Sequence, residues 1–444
     1  MKYHIWTIGC QMNDADSRHL ASRLEQAGHV PCDDAKHADL VILNTCVVRQ
    51  QAEDKVYSRL TFMEQLKKNR PGLRVALMGC LVGTREAPAA KLKERLAFVD
   101  YFLPPSDPGA LLRELAGGEE AALRSEEEEE RLVRDAIRNE EHHLPALGRG
   151  AVVAHVPVVL GCSHACTYCV IPYRRGAERS RPPEDVLDEV RQLAREGVRE
   201  IVLLGQIVDR YGLDRPGAPD LAALLRRVAR VEGILRVRFL TSHPAYLTDR
   251  LIEAVAAEPG VCPLFEVPVQ AGDDAVLERM RRGYTVAQYE AIVARIRARI
   301  PDAAIHTDII VGFPGETEAQ FGGSRRLLAA LRLDNVHLAR YSERPQTYAS
   351  RRFPDDIPPE EKERRCVELD LLQRQIQTEK NAAWLGGTVE VLVEGRDEKR
   401  NRWRGRTRHD RLVFFSGAGE RRGQVAKVRI DWTGPYSLVG TAAD

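Results

Sequence analysis

The run Gly161-Cys162-Ser163-His164-Ala165-Cys166-Thr167-Tyr168-Cys169 places three thiols in one short loop at C-x3-C-x2-C spacing. The apolar residues Ala151 to Leu160 come just before it and predict a buried strand over Val152–Leu160. Any fold of this chain must therefore hold three thiolates together at the exit of a strand. Three thiolates match three irons of a four-iron cluster and leave the fourth iron to an outside ligand. Structural zinc requires a fourth Cys or His. His164 is the only local candidate, and it lies inside the loop.

Strand and helix patterns alternate about six times from Ala151 to Tyr341. The expected strands are Val152–Leu160, Ile201–Leu204, Leu235–Leu240, Leu264–Val267, Ala304–Val311 and Asn335–Ala339. Pro183–Glu196 is one of the helices between them, with Gly197 at its end. Six such units predict a partial (β/α)6 barrel, open on one side, whose functional loops leave the carboxyl ends of the strands.

Residues 1 to about 115 carry the same alternation. Strands are expected at Lys2–Ile8, Asp39–Leu43 and Leu73–Met78, with helices over Asp14–Gly28 and Val48–Lys68. A cysteine follows each strand: Cys10, Cys46 and Cys80. In a parallel sheet all carboxyl ends share one edge, where open α/β folds bind ligands. Three thiols distant in sequence then converge, either to hold a second cluster or to pack strand ends as small apolar groups. Nine cysteines in a chain that shows no secretory leader argue for metal or catalysis rather than disulfides.

Gly117 to His143 is acidic and includes Glu126 to Glu130, as expected of a linker. His142-His143 reads as solvated. Pro358 to Trp384 predicts a charged spacer helix. Beyond Gly387, short β-branched runs at Thr388–Val393, Arg411–Phe415 and Val425–Ile430 predict a small β-barrel. Arg402, Arg404, Arg406 and Arg408 recur at period two, which on a strand sets all four on one side. Four like charges in a row favour an anionic partner over a solvated edge. Cys262 and Cys366 read as packing thiols. The net charge of +1 and the lack of a long apolar run predict no membrane span and a cytoplasmic protein.

The loop Cys162 to Cys169 closely resembles the radical S-adenosylmethionine (SAM) signature, and Ile171-Pro172-Tyr173-Arg174-Arg175-Gly176 resembles the segment that follows it in methylthiotransferases. Thr7-Ile8-Gly9-Cys10-Gln11-Met12-Asn13-Asp14-Ala15-Asp16-Ser17, Asn44-Thr45-Cys46-Val47-Val48-Arg49 and Gly79-Cys80 resemble three motifs of the MiaB-type tRNA methylthiotransferases, and the tail resembles a TRAM domain, an RNA-binding module. The resemblance implies an α/β architecture of five parts. These are an N-terminal open parallel-sheet domain at 1–116, an acidic linker at 117–147, a radical SAM barrel at 148–357, a spacer helix at 358–386 and a TRAM-like small β-barrel at 387–444.

It also implies two [4Fe-4S] clusters. Cys162, Cys166 and Cys169 would hold the one that cleaves SAM to a radical, and Cys10, Cys46 and Cys80 the auxiliary one. Tyr168, Gln206, Ser242, Gln270, Asp308 and Phe313 stand where the family contacts SAM. Ile207 and Ala271 depart from the family's usual Asn and Ser. The implied reaction puts a methylthio group at C2 of N6-isopentenyladenosine at tRNA position 37, in a monomer served by an electron-donor protein. A RimO-like enzyme acting on a ribosomal-protein aspartate is the alternative. RimO enzymes usually carry Pro-Lys after the first cysteine, where this chain has Gln11-Met12. A non-catalytic iron–sulfur protein that binds tRNA is an alternative of another class.

Overall fold

The computed structural model describes residues 1–47, 50–83, 89–115 and 150–443. The expected acidic linker and His142-His143 lie outside the described residues. The chain falls into two compact units. The first comprises residues 1–149, 155–164 and 169–192, and the second 150–154, 165–168 and 193–444.

In the first unit, β1 (Lys2–Thr7), β2 (Val30–Pro31), β3 (Leu40–Thr45), β4 (Arg74–Gly79) and β5 (Tyr101–Leu103) form a parallel sheet of order β2-β1-β3-β4-β5. Every residue of β3 is buried, as in a sheet covered on both faces. Period-two alternation sends Val41, Leu43, Val75 and Leu77 to one side, against Val56, Leu60 and Met63 of the helix Gln50–Asn69. Leu40, Ile42, Ala76 and Met78 face the other side, against Leu20 and Leu24 of the helix Gln11–Gln26. Thr7 pairs with Asn44, and Thr45 with Gly79, so three strands end at one level. The two edge strands β2 and β5 went unseen in the sequence because each is so short.

The strand expected over Val152–Leu160 is two pieces, β6 (Val153–Pro157) and β7 (Val159–Leu160). Pro157 has no amide hydrogen to continue a ladder. β7 turns away to pair antiparallel with β8 (Arg179–Ser180). The other barrel strands fall within about two residues of expectation: β9 (Glu200–Leu204), β10 (Arg236–Phe239), β11 (Leu264–Glu266), β12 (Ala304–Val311) and β13 (Asn335–Arg340). They form two sheets, β10-β9-β6 and β11-β12-β13. The short β11 leaves a seam, closed by the single bridge Val237↔Val261 and the Ser242 amide donating to the Glu266 carbonyl at 3.0 Å.

The spacer is the helix Pro359–Ala382. After it, β14 (Thr388–Asp397), β15 (Arg402–Arg406), β16 (Leu412–Ser416), β17 (Val425–Thr433) and β18 (Leu438–Ala442) close a barrel of order β14-β15-β16-β18-β17. Val391, Trp403, Val413, Phe415 and Val428 fill it. This barrel sits in the same compact unit as β9 to β13. Arg238 donates to the carbonyls of Thr407 (2.7 Å) and Arg408 (3.1 Å) and to Glu200 (2.7 Å), while Arg411 pairs with Asp334 at 2.6 Å. Among the described residues no helix is long and apolar enough to cross a membrane.

Candidate functional site

The aligned strand ends of the first unit bring Cys10, Cys46 and Cys80 to one edge. Cys10 caps the helix Gln11–Gln26 and is exposed, whereas Cys46 and Cys80 are buried. Side-chain amides lock the three ends together. Asn13 Nδ2 donates to Asn44 Oδ1 (2.9 Å) and to the Thr45 carbonyl (3.0 Å), and Asn44 Nδ2 donates to the Asn13 carbonyl (2.9 Å). Thr45 Oγ1 donates to the Met78 carbonyl at 2.7 Å. Gly79 has φ +99°, and a Cβ there would stand 2.5 Å from the Thr45 carbonyl, so only glycine fits.

The thiols are electrostatically unequal. A hydrogen bond from Cys46 brings Cys10 down to about 6, with Arg175 adding to the effect against partial desolvation by the atoms packed around the thiol. Burial pushes the Cys80 thiol up, and Arg175 acts against that. Arg175 ends the helix Ile171–Arg175, a few residues beyond Cys169, and its side chain is 3 % exposed. It donates to Asp16 Oδ2 at 3.1 Å. A buried cation beside two thiols fits an anionic occupant held by thiolates. Among the described residues no three Cys, His, Asp or Glu side chains gather around one ion-sized point. Cluster thiolates bind different irons and stand wider apart than the ligands of one ion.

Of the loop cysteines, Cys162 and Cys169 belong to the first unit and Cys166 to the second. The Cys162 amide donates to the Gly176 carbonyl at 3.0 Å. Gly161 has φ +68°, and a Cβ there would meet the Ala177 carbonyl at 2.1 Å, which explains the glycine that opens the loop. In the second unit, Thr167 is pinned by its amide to the Met280 carbonyl (3.1 Å) and by its hydroxyl to the Arg279 carbonyl (2.8 Å). Arg282, buried, donates to Cys166 Sγ (3.2 Å), the Pro268 carbonyl (3.0 Å) and Tyr284 Oη (3.0 Å).

The remaining expected residues lie at successive strand exits of the second unit. Gln206 follows β9 and is half-buried. Ser242, after β10, is 2 % exposed, and its Oγ finds no hydrogen-bond partner among the described residues. Gln270, after β11, is buried at φ +76°, and Thr241 stands at φ +67°. Two non-glycine residues in the left-handed region at neighbouring strand ends mark a constrained site. The Gln270 amide donates to the Asp308 carbonyl at 2.8 Å, joining the exit of β11 to the middle of β12. Phe313 is fully buried and packs edge-on against Tyr168 at 6.5 Å and Tyr341 at 5.3 Å. Ile207 and Ala271 are buried apolar side chains.

Three residues that went unnoticed in the sequence stand beside these. Asp209 accepts from the His243 amide at 3.0 Å, and burial raises its carboxyl to about 7. Burial, with Asp308 adding to it, raises Glu266 to about 8. Arg282 is the third. Nothing in the spacing of Asp209, Glu266 or Arg282 sets them apart from ordinary surface charges. Only burial does.

The arginine run departs from expectation. β15 ends at Arg406, and the chain then turns through Asp410 at φ +65°. Arg402 and Arg404 are exposed as expected. Arg406 pairs with Asp410 (3.2 Å) and Glu394 (3.4 Å), and Arg408 donates inward to the Val261 carbonyl at 2.7 Å. The strand's early end thus splits the row of four.

Comparison with known proteins bears on all three regions. Residues 2–103 match the model of uncharacterized protein family UPF0004, residues 156–328 that of the radical SAM superfamily, and residues 384–443 that of the TRAM domain. A tRNA-2-methylthio-N(6)-dimethylallyladenosine synthase of Roseiflexus sp. (strain RS-1) is 46 % identical, over 100 % of this chain and 90 % of its own length. This chain belongs to that synthase family. The synthase of the same name from Herpetosiphon aurantiacus is 42 % identical over 99 % of the chain and 97 % of its own. In fold, the chain is similar to the radical SAM methyltransferase TsrM from Kitasatospora setae, with a TM-score of 0.56 at 18 % identity, covering 79 % of this chain and 77 % of that one. The family's three matched regions coincide with the parallel sheet, the split barrel and the closed five-stranded barrel.

Proposed function

We propose that this protein is a radical SAM methylthiotransferase that converts N6-isopentenyladenosine at tRNA position 37 to its 2-methylthio derivative. The observation that carries the reading is a second thiol site. Cys10, Cys46 and Cys80 stand at register-aligned strand ends in the same chain as the C-x3-C-x2-C loop. A SAM-cleaving enzyme without sulfur chemistry needs only the loop.

Two [4Fe-4S] clusters are proposed, one on Cys162, Cys166 and Cys169, the other on Cys10, Cys46 and Cys80. When bound, the first supplies the electron that cleaves SAM, and a carbon-centred radical answers the lack of polar reactivity at C2 of an adenine. The residues present fit such groups: Arg282 donates to Cys166, and the buried Arg175 acts to lower the pKa of Cys10 and of Cys80. The unpartnered hydroxyl of Ser242 suits a polar cosubstrate such as SAM. Gln206, Gln270 and Asp308 surround the same strand exits as further SAM contacts, with Tyr168 supported from behind by Phe313. Asp209 and Glu266 sit where a proton can be held near neutral pH. Arg402 and Arg404 offer phosphate contacts for tRNA on the outer face of the small barrel.

The division of labour follows: residues 1–116 deliver sulfur, 148–357 generate the radical and 387–444 bind tRNA, joined by the linker 117–147 and the spacer 358–386. The protein works as a cytoplasmic monomer with an electron-donor protein as partner. The test replaces Cys10, Cys46 and Cys80 together with Ala. In one anaerobic reaction, 5′-deoxyadenosine should persist while methylthiolated nucleoside disappears. Normal methylthio product from this variant would reduce the three cysteines to strand-end packing.

A further inference from the structure

We infer that Arg175 raises the reduction potential of the N-terminal iron–sulfur site and that Asp16 tempers it. The inference rests on the proposed auxiliary cluster and concerns this chain's own charges around it. Three elements of the first unit meet here: the helix Gln11–Gln26, which carries Cys10 and Asp16, the loop after β5, which carries Ser106, and the helix Ile171–Arg175. The side chains of Arg175 and Asp16 are 3 % and 2 % exposed and lie 3.1 Å apart. Ser106 Oγ donates to Asp16 Oδ1 at 2.6 Å and accepts from Arg175 at 3.4 Å. Ser106 holds φ +61°, a costly backbone state for a serine, to make that contact.

Burying an ion pair is weak support for stability on its own, because desolvation offsets the attraction. This pair does more than close on itself. A guanidinium has five donors in a fixed fork. Only part of that fork goes to Asp16 and Ser106, and Asp16 stands on the helix that Cys10 caps and that Asn13 and Ser17 tie to Asn44 at the end of β3, so the pair lies beside the thiol edge. A carboxylate therefore holds the cation beside the thiol edge.

Three thiolates outnumber the positive charge of an oxidised four-iron core, so the occupied site is anionic and becomes more so on reduction. A buried cation favours the more negative, reduced state. A buried anion one shell behind opposes it. Net charge and hydrogen bonds to the sulfurs are established levers on such potentials. Solvent screening is weak for groups this buried.

The test uses the full-length protein with Cys162, Cys166 and Cys169 changed to Ala, reconstituted anaerobically, so that one cluster remains. Iron per chain is measured, and the cluster's midpoint is read by an electron-paramagnetic-resonance redox titration. Arg175→Gln should move the midpoint to more negative potential, and Asp16→Asn to more positive potential. Arg175→Lys, which keeps the charge without the fork, should stay close to the parent.

Shifts of opposite sign are what a charge effect produces and what a packing defect does not. Equal midpoints for Arg175→Gln and the parent, or shifts of the same sign in Arg175→Gln and Asp16→Asn, overturn the inference. Should Arg175→Gln fail to load iron, Asp16→Asn and Arg175→Lys still decide it. If the parent itself holds no cluster, the auxiliary-cluster reading fails and the inference falls with it. If the parent loads iron and its potential ignores these charges, the inference alone fails.

Discussion

The two cysteine sites solve one problem by different routes. The N-terminal site gathers thiols separated by tens of residues. It relies on sheet register and on the Asn13, Asn44 and Thr45 hydrogen bonds to keep three strand ends level. The loop site takes its thiols from neighbouring residues, so covalent connectivity does most of the gathering, and Thr167 anchors the loop. Each has one buried arginine, but the company differs. Arg175 faces a carboxylate, whereas the hydrogen bonds of Arg282 go to neutral partners, Tyr284 and Pro268, besides Cys166. The first site is thus close to charge-balanced before any occupant arrives. The second holds its cation through neutral hydrogen-bond partners, with the buried Asp209 carboxyl within its electrostatic reach.

The largest expected effect breaks the comparison outright. Changing Cys162, Cys166 and Cys169 to Ala should remove roughly half of the iron that two four-iron clusters bring and all 5′-deoxyadenosine formation. Iron analysis and nucleoside chromatography on one preparation read both. Continued SAM cleavage would show that the two sites are not divided as their scaffolds suggest.

A smaller effect sharpens it. Arg282→Gln takes the arginine donor from Cys166, while the Pro268 carbonyl keeps the Tyr284 hydroxyl at 3.2 Å, at a cost of about 1–3 kcal/mol. SAM cleavage should fall about tenfold for each 1.4 kcal/mol of that loss that is felt in the transition state. Iron in the N-terminal site should stay intact, as measured in the background lacking the loop cysteines. Arg282→Lys should recover only part, because a lysine cannot reproduce the fork. Equal rates for wild type and Arg282→Gln would make this arginine a packing residue.

The same contrast explains what could be read from the sequence. The loop site is legible at a glance, because its geometry is in the spacing of Cys162, Cys166 and Cys169. The N-terminal site is legible at one remove. A cysteine after each of three parallel strands implies convergence, though not the side-chain bonds that enforce it. Arg175 and Asp16 lay inside the motifs quoted from the sequence but their pairing stayed hidden, as did Asp209 and Arg282. Their meaning lies in burial and in partners distant along the chain, and a charge's surroundings leave no periodic trace. Strand positions were recovered because long apolar runs such as Ala304–Val311 outweigh local detail. They failed where one residue decides, at Pro157, which splits β6 from β7, and where a strand is only two or three residues long.

The smallest effect lies outside both thiol sites. Among the four arginines, Arg402 and Arg404 are exposed on β15, Arg406 is half-buried beside Asp410 and Glu394, and Arg408 turns inward to Val261. Changing Arg402 and Arg404 to Gln should weaken tRNA binding and lower its salt dependence by about two units, one per lost phosphate contact. Iron content and SAM cleavage without tRNA should match wild type, because neither arginine belongs to a cysteine site. Arg408→Gln should behave differently. It removes a bond between the small barrel and the loop before β11, so it should lower thermal stability by about 1 kcal/mol while the salt slope of tRNA binding stays near wild type. Filter binding across a salt series and a melting curve separate the two. If all four single variants lowered the salt slope equally, the inward turn at Thr407 would have to open when tRNA binds. The row of four would then act as the even stripe that its period suggests.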